Sequence, residues 1–235
     1  MNLPMNQKKV ISFLIIISVV LLNFTSLAQN VSNGQFIIRG NGDDYGNTLE
    51  LLDGNFLYVG TTTTYGIGAR DILVVKFAQD FSILWQKTIG TTADEYVFDR
   101  ESSFENTDGT IMIIGNSSSG LIGGDDMLLL KLSSVGNFLW SKVYGGGSDE
   151  RGITVEKCLD GGYILGGNTY SYPNGKNNIY LVKVDSLGNS NWNWSFGNTQ
   201  KTATQVTDIV SLADSSYIFS GIYDGSPSNG NSFIG

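Results

Sequence analysis

Short apolar runs and turn-forming residues alternate at a fixed spacing along most of the chain. Four segments consist of a turn that begins with Asp and an apolar strand that ends in Gly, which we call the closing Gly. The segments begin 52 to 55 residues apart. They are DGNFLYVG from Asp53, DGTIMIIG from Asp108, DGGYILGG from Asp160 and DSSYIFSG from Asp214. Self-similarity at this period predicts an architecture of stacked repeats.

The second half of each repeat is equally regular. A further strand begins eleven residues after each closing Gly, at Asp71, Asp126, Asn178 and Ser232. In the first three repeats this strand carries Lys at one offset, and a Trp follows five residues before a Gly. These residues are Lys76, Lys131 and Lys183, then Trp85, Trp140 and Trp192, then Gly90, Gly145 and Gly197.

Each repeat contains four strand-like runs, which in the first repeat are residues 47–52, 56–62, 71–78 and 83–89. The two middle runs are apolar almost throughout, which is typical of strands covered on both faces. Four antiparallel strands in a repeat of this length predict an all-β chain built as a β-propeller. A β-solenoid would need shorter repeats, and an immunoglobulin-like sandwich would not repeat internally at this period.

The motifs GDDYGNTLELLDGNFLYVG, DILVVKF and LW resemble the extracellular β-propeller repeats of secreted bacterial proteins, notably of the Bacteroidetes type. The resemblance covers about residues 40–235. It is best in the third repeat, through GGSDERG, DGGYILGG and LVKVDSLGN, and weaker in the first, which has AQDFSILW in place of the Gly-Asn turn. The second repeat lengthens its first loop (DEYVFDRESSFENTDG). The resemblance implies a propeller placed outside the cell.

The repeats predict blades at 41–90, 91–145 and 146–197, and an incomplete blade at 198–235 that stops inside its third strand. About 3.5–4 blades are therefore present in the propeller region, 29–235. Residues 35–39 (QFIIR) stand where a fourth strand belongs and predict a ring-closing strand. Either four blades close on themselves or the chain is a truncated piece of a larger ring, and the incomplete fourth repeat favours truncation.

The first 28 residues have the pattern of a secretory signal peptide. Lys8 and Lys9 precede an apolar run from Val10 to Leu22, and Ser26-Leu27-Ala28 offers a cleavage site before Gln29. The alternative is a retained anchor, but a spanning helix needs about 20 apolar residues. No later run is long enough to span a membrane, so we expect a secreted or cell-surface protein.

Charge and residue usage exclude several function classes. The whole chain has a net charge of −8, and loss of Lys8 and Lys9 leaves −10, which disfavours nucleic acid as a partner. The chain has no His and a single Cys, Cys158, which we interpret as a buried structural thiol. A Ser-His-Asp triad, a Cys-His pair, a His-ligated metal and an intramolecular disulfide are therefore impossible.

Candidate binding residues lie in the loops between the second and third strands and between successive repeats. These loops are rich in Ser, Thr, Asn and Gly with aromatic residues among them, a composition suited to glycans or extracellular proteins. The alternative is that they are only soluble turns. The candidates are Tyr65, Arg70, Arg151, Tyr170, Tyr172, Tyr223 and Trp194, the last because it replaces the Lys of other repeats (Lys87 and Lys142) and is expected to be exposed.

Acidic pairs recur at the repeat junctions and allow two sharper hypotheses. They are Asp43-Asp44, Asp94-Glu95, Asp125-Asp126 and Asp149-Glu150. They could bind Ca²⁺, but they lack the alternating spacing that wraps one ion. They could also serve a carbohydrate hydrolase or lyase, which needs two carboxyl groups across a cleft. Turn formation by Asp explains their recurrence more simply, so we predict a non-enzymatic module without cofactor or metal.

A structural role is predicted for the residues that recur once per repeat. They are Trp85, Trp140, Trp192, Gly60, Gly115, Gly167 and Gly221. The spacing of Gly and Trp is also similar to the Trp-docking motif of quinone-enzyme propellers. That motif has an additional Thr before the Gly, which this chain lacks, so no quinone cofactor is implied.

Overall fold

The computed structural model describes residues 13–14, 19–20, 42–98, 102–120, 122–172, 177–197, 204–223 and 231–234. These residues form β-strands, turns and bends, and no helix occurs among them. The described part of the chain accordingly has no helix with the length and apolar character to cross a bilayer.

The first and third repeats each form a four-stranded antiparallel sheet whose strands neighbour one another in chain order. The first contains β3 (Asp44–Glu50), β4 (Phe56–Thr62), β5 (Asp71–Phe77) and β6 (Ile83–Ile89). The third contains β12 (Glu150–Lys157), β13 (Tyr163–Thr169), β14 (Asn178–Val184) and β15 (Ser190–Phe196). The prediction of an all-β chain with four-stranded antiparallel sheets is confirmed. β3 begins earlier than predicted, because Asp44 already pairs with Thr62.

The second and fourth repeats vary this plan. In the second, the long first loop divides the first strand into two short strands that both pair with the next one. Its strands are β7 (Glu95–Tyr96), β8 (Ser103–Glu105), β9 (Ile111–Ser117), β10 (Asp126–Leu132) and β11 (Phe138–Tyr144). The fourth is a three-stranded sheet of β16 (Thr204–Ser211), β17 (Tyr217–Tyr223) and β18 (Asn231–Ile234).

Two short strands lie within the predicted signal peptide. β1 (Phe13–Leu14) pairs with β11, and β2 (Val19–Val20) pairs with β6, both antiparallel. The rest of residues 1–28, and the predicted ring-closing strand at 35–39, lie outside the described residues. Cleavage and ring closure therefore stay predictions.

The chain divides into two compact units. The first unit comprises Ile16–Ile113 and Leu130–Trp140, and the second comprises Met1–Ile15, Ile114–Leu129 and Ser141–Gly235. The strands of the second repeat run through both. The two units are described separately below.

Three middle strands, β5, β13 and β14, are buried on both faces, as their apolar sequences predict, whereas Ile218 and Ile222 of the middle strand β17 are exposed. Every residue of β5 is buried in the first unit, and every residue of β13 and β14 in the second. Because side chains on both faces of these strands are buried, apolar area is removed from water on both sides of the sheet. This burial supplies most of the stabilisation. Cys158 is buried, as expected.

An ion pair within the repeat explains why Asp and Lys recur together. Lys76 Nζ lies 2.6 Å from Asp53 Oδ2 in the first repeat, and Lys183 Nζ lies 2.7 Å from Asp160 Oδ2 in the third. Each Lys is buried on the third strand and extends to the turn between the first two strands. The Asp lowers the cost of burying the Lys ammonium group, and the pKa of the Asp is lowered by that Lys.

The turn between the first two strands requires a left-handed residue in every repeat. Gly54, Gly109 and Gly161 have φ of 77°, 78° and 80°. In the fourth repeat Ser215 takes the same position at φ 66°. A side chain is disfavoured in this region because Cβ approaches the following carbonyl oxygen, so the Asp-Gly pair reflects a backbone requirement.

Two of the closing glycines let the first and second strands approach closely. Gly60 pairs with Gly46, and Gly167 pairs with Gly152. A Cβ on Gly60 would overlap the carbonyl oxygen of Tyr45, and one on Gly167 would overlap that of Arg151. The other two closing glycines, Gly115 and Gly221, are buried.

Candidate functional site at the loop ends of the sheets

In the first unit, the loop between β4 and β5 lies against the loop that follows β6. Arg70 forms an ion pair with Asp94, with 2.9 Å between Nη2 and Oδ2, and its guanidinium lies 3.9 Å above the Tyr96 ring. The backbone N–H of Glu95 donates to the Arg70 carbonyl at 2.8 Å. These contacts place the two kinds of loop at the same end of the sheets in this unit.

A buried carboxyl group anchors this loop pair. Asp71 Oδ2 accepts hydrogen bonds from the backbone N–H groups of Ile67 and Gly68 at 3.1 and 3.0 Å. Asp71 Oδ1 is buried without a partner. Burial, together with the nearby carboxylates of Glu95 and Asp94, raises the pKa of Asp71 to about 6.

The second unit repeats the arrangement between the β9–β10 loop, residues 145–149 and the loop after β13. The Asp125 N–H donates to Asp149 Oδ1 at 3.2 Å, and the Glu150 N–H donates to the Asp125 carbonyl. The Ser148 N–H donates to Ser171 Oγ at 2.9 Å. The loops therefore lie at the same end of the sheets in this unit as well.

Two carboxyl groups from successive repeats meet beneath these loops. Asp126 opens β10 and Glu150 opens β12, and both residues are fully buried. Glu150 accepts hydrogen bonds from the Gly146 N–H and the Thr169 hydroxyl. Burial and the Glu150 carboxylate raise the pKa of Asp126 to about 7, and burial also raises the pKa of Glu150.

The predicted binding residues of the first unit are already engaged in the loop structure. Tyr65 is half-buried and packs against the cluster of Leu73, Val75 and Phe77. Arg70 is held by Asp94 and Tyr96, as described above. A role for either in ligand binding stays a prediction.

In the second unit, three of the predicted binding residues occupy the loop end. Arg151 is exposed near the start of β12, while Tyr170 and Tyr172 are half-buried in the loop after β13. The Tyr172 ring lies 5.9 Å from the ring of the buried Tyr180. Tyr223 ends β17, and its side chain lies outside the described part of the structure.

The repeated tryptophans are half-buried, and Trp85 and Trp192 contact the following repeat. In the first unit Trp85 covers Gly136, where a Cβ would lie 2.8 Å from Trp85 Cε3. In the second unit the rings of Trp192 and Tyr217 are 5.9 Å apart. Trp140 is half-buried too.

Trp194 is packed against other rings and is not the exposed side chain that we expected. Its ring stacks on Phe196 at 5.6 Å and meets Phe219 edge-on at 5.8 Å. The reason is the strand alternation, which places Trp194 on the same face as Trp192. That face packs against β17. The presence of Trp at position 194, where the other repeats have Lys, therefore extends an aromatic contact between the two sheets.

The sequence alone did not predict that Asp126 and Glu150 lie close together. Each acidic pair was interpreted as two neighbours in one turn, whereas the buried contact joins the second acid of one pair to the second acid of the next. The available signal was the position of Asp126, because a carboxyl group that opens an otherwise apolar buried strand needs a polar partner. Among the described residues, no group of three or more His, Cys, Asp or Glu side chains is placed to hold a metal ion.

No family model matches the chain, and no curated protein matches its sequence. Among solved structures, the chain is similar to an endo-1,4-beta-xylanase from Bacteroides thetaiotaomicron VPI-5482. The sequence identity is 11%, the TM-score is 0.36, and the match covers 83% of this chain and 92% of that one. At this level of similarity neither a fold nor an activity is transferred to this chain.

Proposed function

We propose that the chain is a secreted or cell-surface β-propeller that binds a glycan or an extracellular protein through the loop ends of its sheets, without catalysis. The observation that carries the proposal is how the loop carboxyl groups are used. Asp94 holds Arg70, Asp149 holds the Asp125 backbone, and Asp71 caps the loop before it.

The same groups give little support to the hydrolase alternative. A glycosidase needs two carboxyl groups that the substrate can reach from opposite sides of the scissile bond. Asp126 and Glu150 come from successive repeats of the second unit and influence each other electrostatically, and both are fully buried. The exposed surface near them includes Gly147, Ser148 and Arg151, with half-buried Tyr170. Such a surface suits recognition by hydrogen bonds and ring stacking.

A glycan array and a reducing-sugar assay on the same preparation test this proposal. We expect retention of one glycan class, or of an extracellular protein, without release of reducing ends. Arg151→Ala and Tyr170→Ala should each weaken that binding about tenfold, the effect of losing roughly 1.4 kcal/mol. Leu187→Ala is the matched control, because Leu187 is exposed in the turn at the opposite end of β14. Turnover that disappears in Asp126→Asn would overturn the non-enzymatic assignment.

The propeller arrangement and the export are parts of the same proposal. The fourth sheet has three described strands, so a closed ring requires a fourth strand from elsewhere in the chain or from a partner. Small-angle scattering from the purified chain should give the pair-distance distribution of a disc, and an elongated particle would contradict the ring. Expression with the native N-terminus should yield an exported chain whose first residue is Gln29 by mass spectrometry.

A further inference from the structure

Two carboxyl groups from successive repeats converge beside Gly145 in the second unit. Asp126 at the start of β10 and Glu150 at the start of β12 are both fully buried. A Cβ on Gly145 would overlap Asp126 Oδ1 and lie 2.6 Å from Glu150 Oε2. The two oxygen atoms therefore lie within the roughly 4–6 Å over which one ionised carboxyl group impedes the ionisation of another.

The groups that surround Asp126 supply no positive charge to the pair. Besides Glu150, the charged group that acts most strongly on Asp126 is Asp125, which is also an acid. The phenols of Tyr172 and Tyr180 interact with both acids as well. Burial raises the pKa of each phenol above its ordinary value, so both are neutral at physiological pH.

The donors to Glu150 are neutral too. Its carboxyl group accepts hydrogen bonds from the N–H groups of Gly146 and Ser171 and from the Thr169 hydroxyl. Arg151 follows Glu150 in β12, but adjacent strand residues point to opposite faces, and Arg151 is exposed. Within the described part of the chain, no ion pair includes either acid. Burial of both acids as anions is unfavourable, so one of them must be protonated.

The first unit repeats this arrangement where the first repeat meets the second. Asp71 at the start of β5 and Glu95 at the start of β7 are buried and interact electrostatically. Asp71 Oδ1 has no hydrogen-bond partner and lies where a Cβ of Gly90 would be. The backbone N–H after Gly90 donates to Glu95 Oε2 at 2.6 Å. The cation of this loop end, Arg70, forms its ion pair with Asp94.

The junction between the third and fourth repeats lacks both acids. Asn178 begins β14 where Asp126 begins β10, and Thr204 begins β16 where Glu150 begins β12. Each of the three junctions therefore has an acid at both positions or at neither. Two acids that acted separately would not need to be replaced together, whereas the members of a pair that shares a proton depend on each other.

We propose that Asp126 and Glu150 share one proton that joins the second repeat to the third, that Asp71 and Glu95 do the same one repeat earlier, and that both contacts weaken as the pH rises through neutrality. The protonated carboxyl group donates a hydrogen bond to the ionised one, which gives a partner to an oxygen such as Asp126 Oδ1. Loss of the proton leaves two neighbouring anions in the interior.

The pKa values place this change near neutral pH. Burial and the partner acid raise the pKa of Asp126 to about 7 and that of Asp71 to about 6. The folded state therefore binds these protons more tightly than the unfolded state, so the stabilisation is present at low pH and is lost as the pH rises. The proposal concerns the junctions between repeats and does not depend on a ligand at the loops.

Denaturant unfolding of the full chain between pH 5 and 8 tests the proposal. Over this range the equilibrium constant for unfolding should rise about 100-fold more in the wild type than in Asp126→Asn. It should rise about tenfold more in the wild type than in Asp71→Asn. Both variants copy the Asn that the third repeat already has at this position. Asp80→Asn is the matched control, because Asp80 is exposed, and it should keep the wild-type profile.

Infrared spectroscopy and hydrogen exchange locate the proton. At pH 6.5 the folded wild type should show the C=O stretch of a protonated carboxyl group, although ordinary Asp and Glu are ionised there. Asp126→Asn should remove most of this band. Glu150→Gln should lower the pH at which Asp126 loses its proton by about one unit, because the like charge is gone. Protection of the Gly146 N–H should fall between pH 6 and 8 in the wild type and stay constant in Asp126→Asn.

Four results would each overturn the proposal. The first, which needs no variant, is the absence of a protonated carboxyl band from the folded wild type at pH 6.5. The second is an equal rise of the unfolding constant in the wild type and Asp126→Asn. The third is an unchanged Asp126 titration in Glu150→Gln, which would make Asp126 an isolated buried acid. The fourth is constant protection of the Gly146 N–H in the wild type.

Discussion

Residues at equivalent positions of different repeats differ in the burial or backbone conformation that the fold imposes on them. Asp71 and Asn178 open equivalent strands, yet only Asp71 must bury a titratable group. Ser215 occupies a turn position that Gly holds in the other repeats. Both differences lead to tests in which one repeat serves as the control for another.

Replacing Asp71 with Asn should flatten the pH dependence of stability. The folded pKa of Asp71, about 6, lies above its ordinary value of 3.8, so the folded state binds its proton more tightly than the unfolded state. Asp71 contributes fully to the free energy of unfolding below about pH 4, and this contribution is lost as the pH rises to about 6. The loss is roughly 1–3 kcal/mol, because one pKa unit corresponds to 1.36 kcal/mol. Denaturant unfolding of the wild type and of Asp71→Asn between pH 4 and 8 measures this loss. Parallel plots of the free energy of unfolding against pH for the two proteins would contradict the assignment.

Replacing Ser215 with Gly should stabilise the chain by about 1 kcal/mol, because the strain of a left-handed non-Gly residue is removed. The converse change, Gly161→Ser, should destabilise by a similar amount. Gly161 is the matched site, since a Cβ there would meet no atom within 4 Å and only the backbone conformation is altered. Urea midpoints at constant m-value provide the measurement. Equal midpoints for the two variants would show that the turn tolerates a side chain.

At the scale of elements, the contact between the first and second strands depends on paired glycines. Gly167→Ala should destabilise by about 1–3 kcal/mol, because the new methyl group would overlap the Arg151 carbonyl oxygen and lie 2.6 Å from Met127 Cε. Gly147→Ala is the control, since Gly147 is exposed with nothing within 4 Å, and it should change stability by less than about 0.5 kcal/mol. Similar losses for both would indicate a general effect of removing Gly.

Much of the element structure was predictable from sequence, and the exceptions have physical causes. Apolar runs such as Leu128-Leu129-Leu130 identified strands buried on both faces, because nothing else in a β protein tolerates such composition. The contact of Asp126 with Glu150 was not predictable, since it depends on which residues of successive repeats face each other. Trp194 was misjudged because its strand was compared with Lys-bearing copies, while its neighbour Phe219 has no aromatic counterpart at the same position of DGTIMIIG or DGGYILGG.

For the whole molecule, the excess of acid should make folding depend on salt. The net charge is −8 and the sequence pI is about 4.4, so at pH 8 the compact state is opposed by self-repulsion. Adding NaCl should raise Tm at pH 8 and have little effect near pH 4.4, since added ions screen exposed charges. Melting curves at several salt concentrations, with chelator present, measure this. A Tm that falls with salt would mean that ion pairs such as Lys76–Asp53 outweigh the repulsion.

The contacts of the fourth strands have a consequence for how the chain can change over generations. In the first unit Trp85 of one repeat covers Gly136 of the next, and in the second unit the Tyr144 hydroxyl donates to the Gly188 carbonyl of the next. The first and third repeats also carry their own Asp–Lys pairs, Asp53 with Lys76 and Asp160 with Lys183. Duplication of the second repeat therefore leaves each of these interactions with a partner, because Gly136 is the equivalent of Gly188, so a gene encoding such a chain can lengthen by a whole repeat while its sheets still pack.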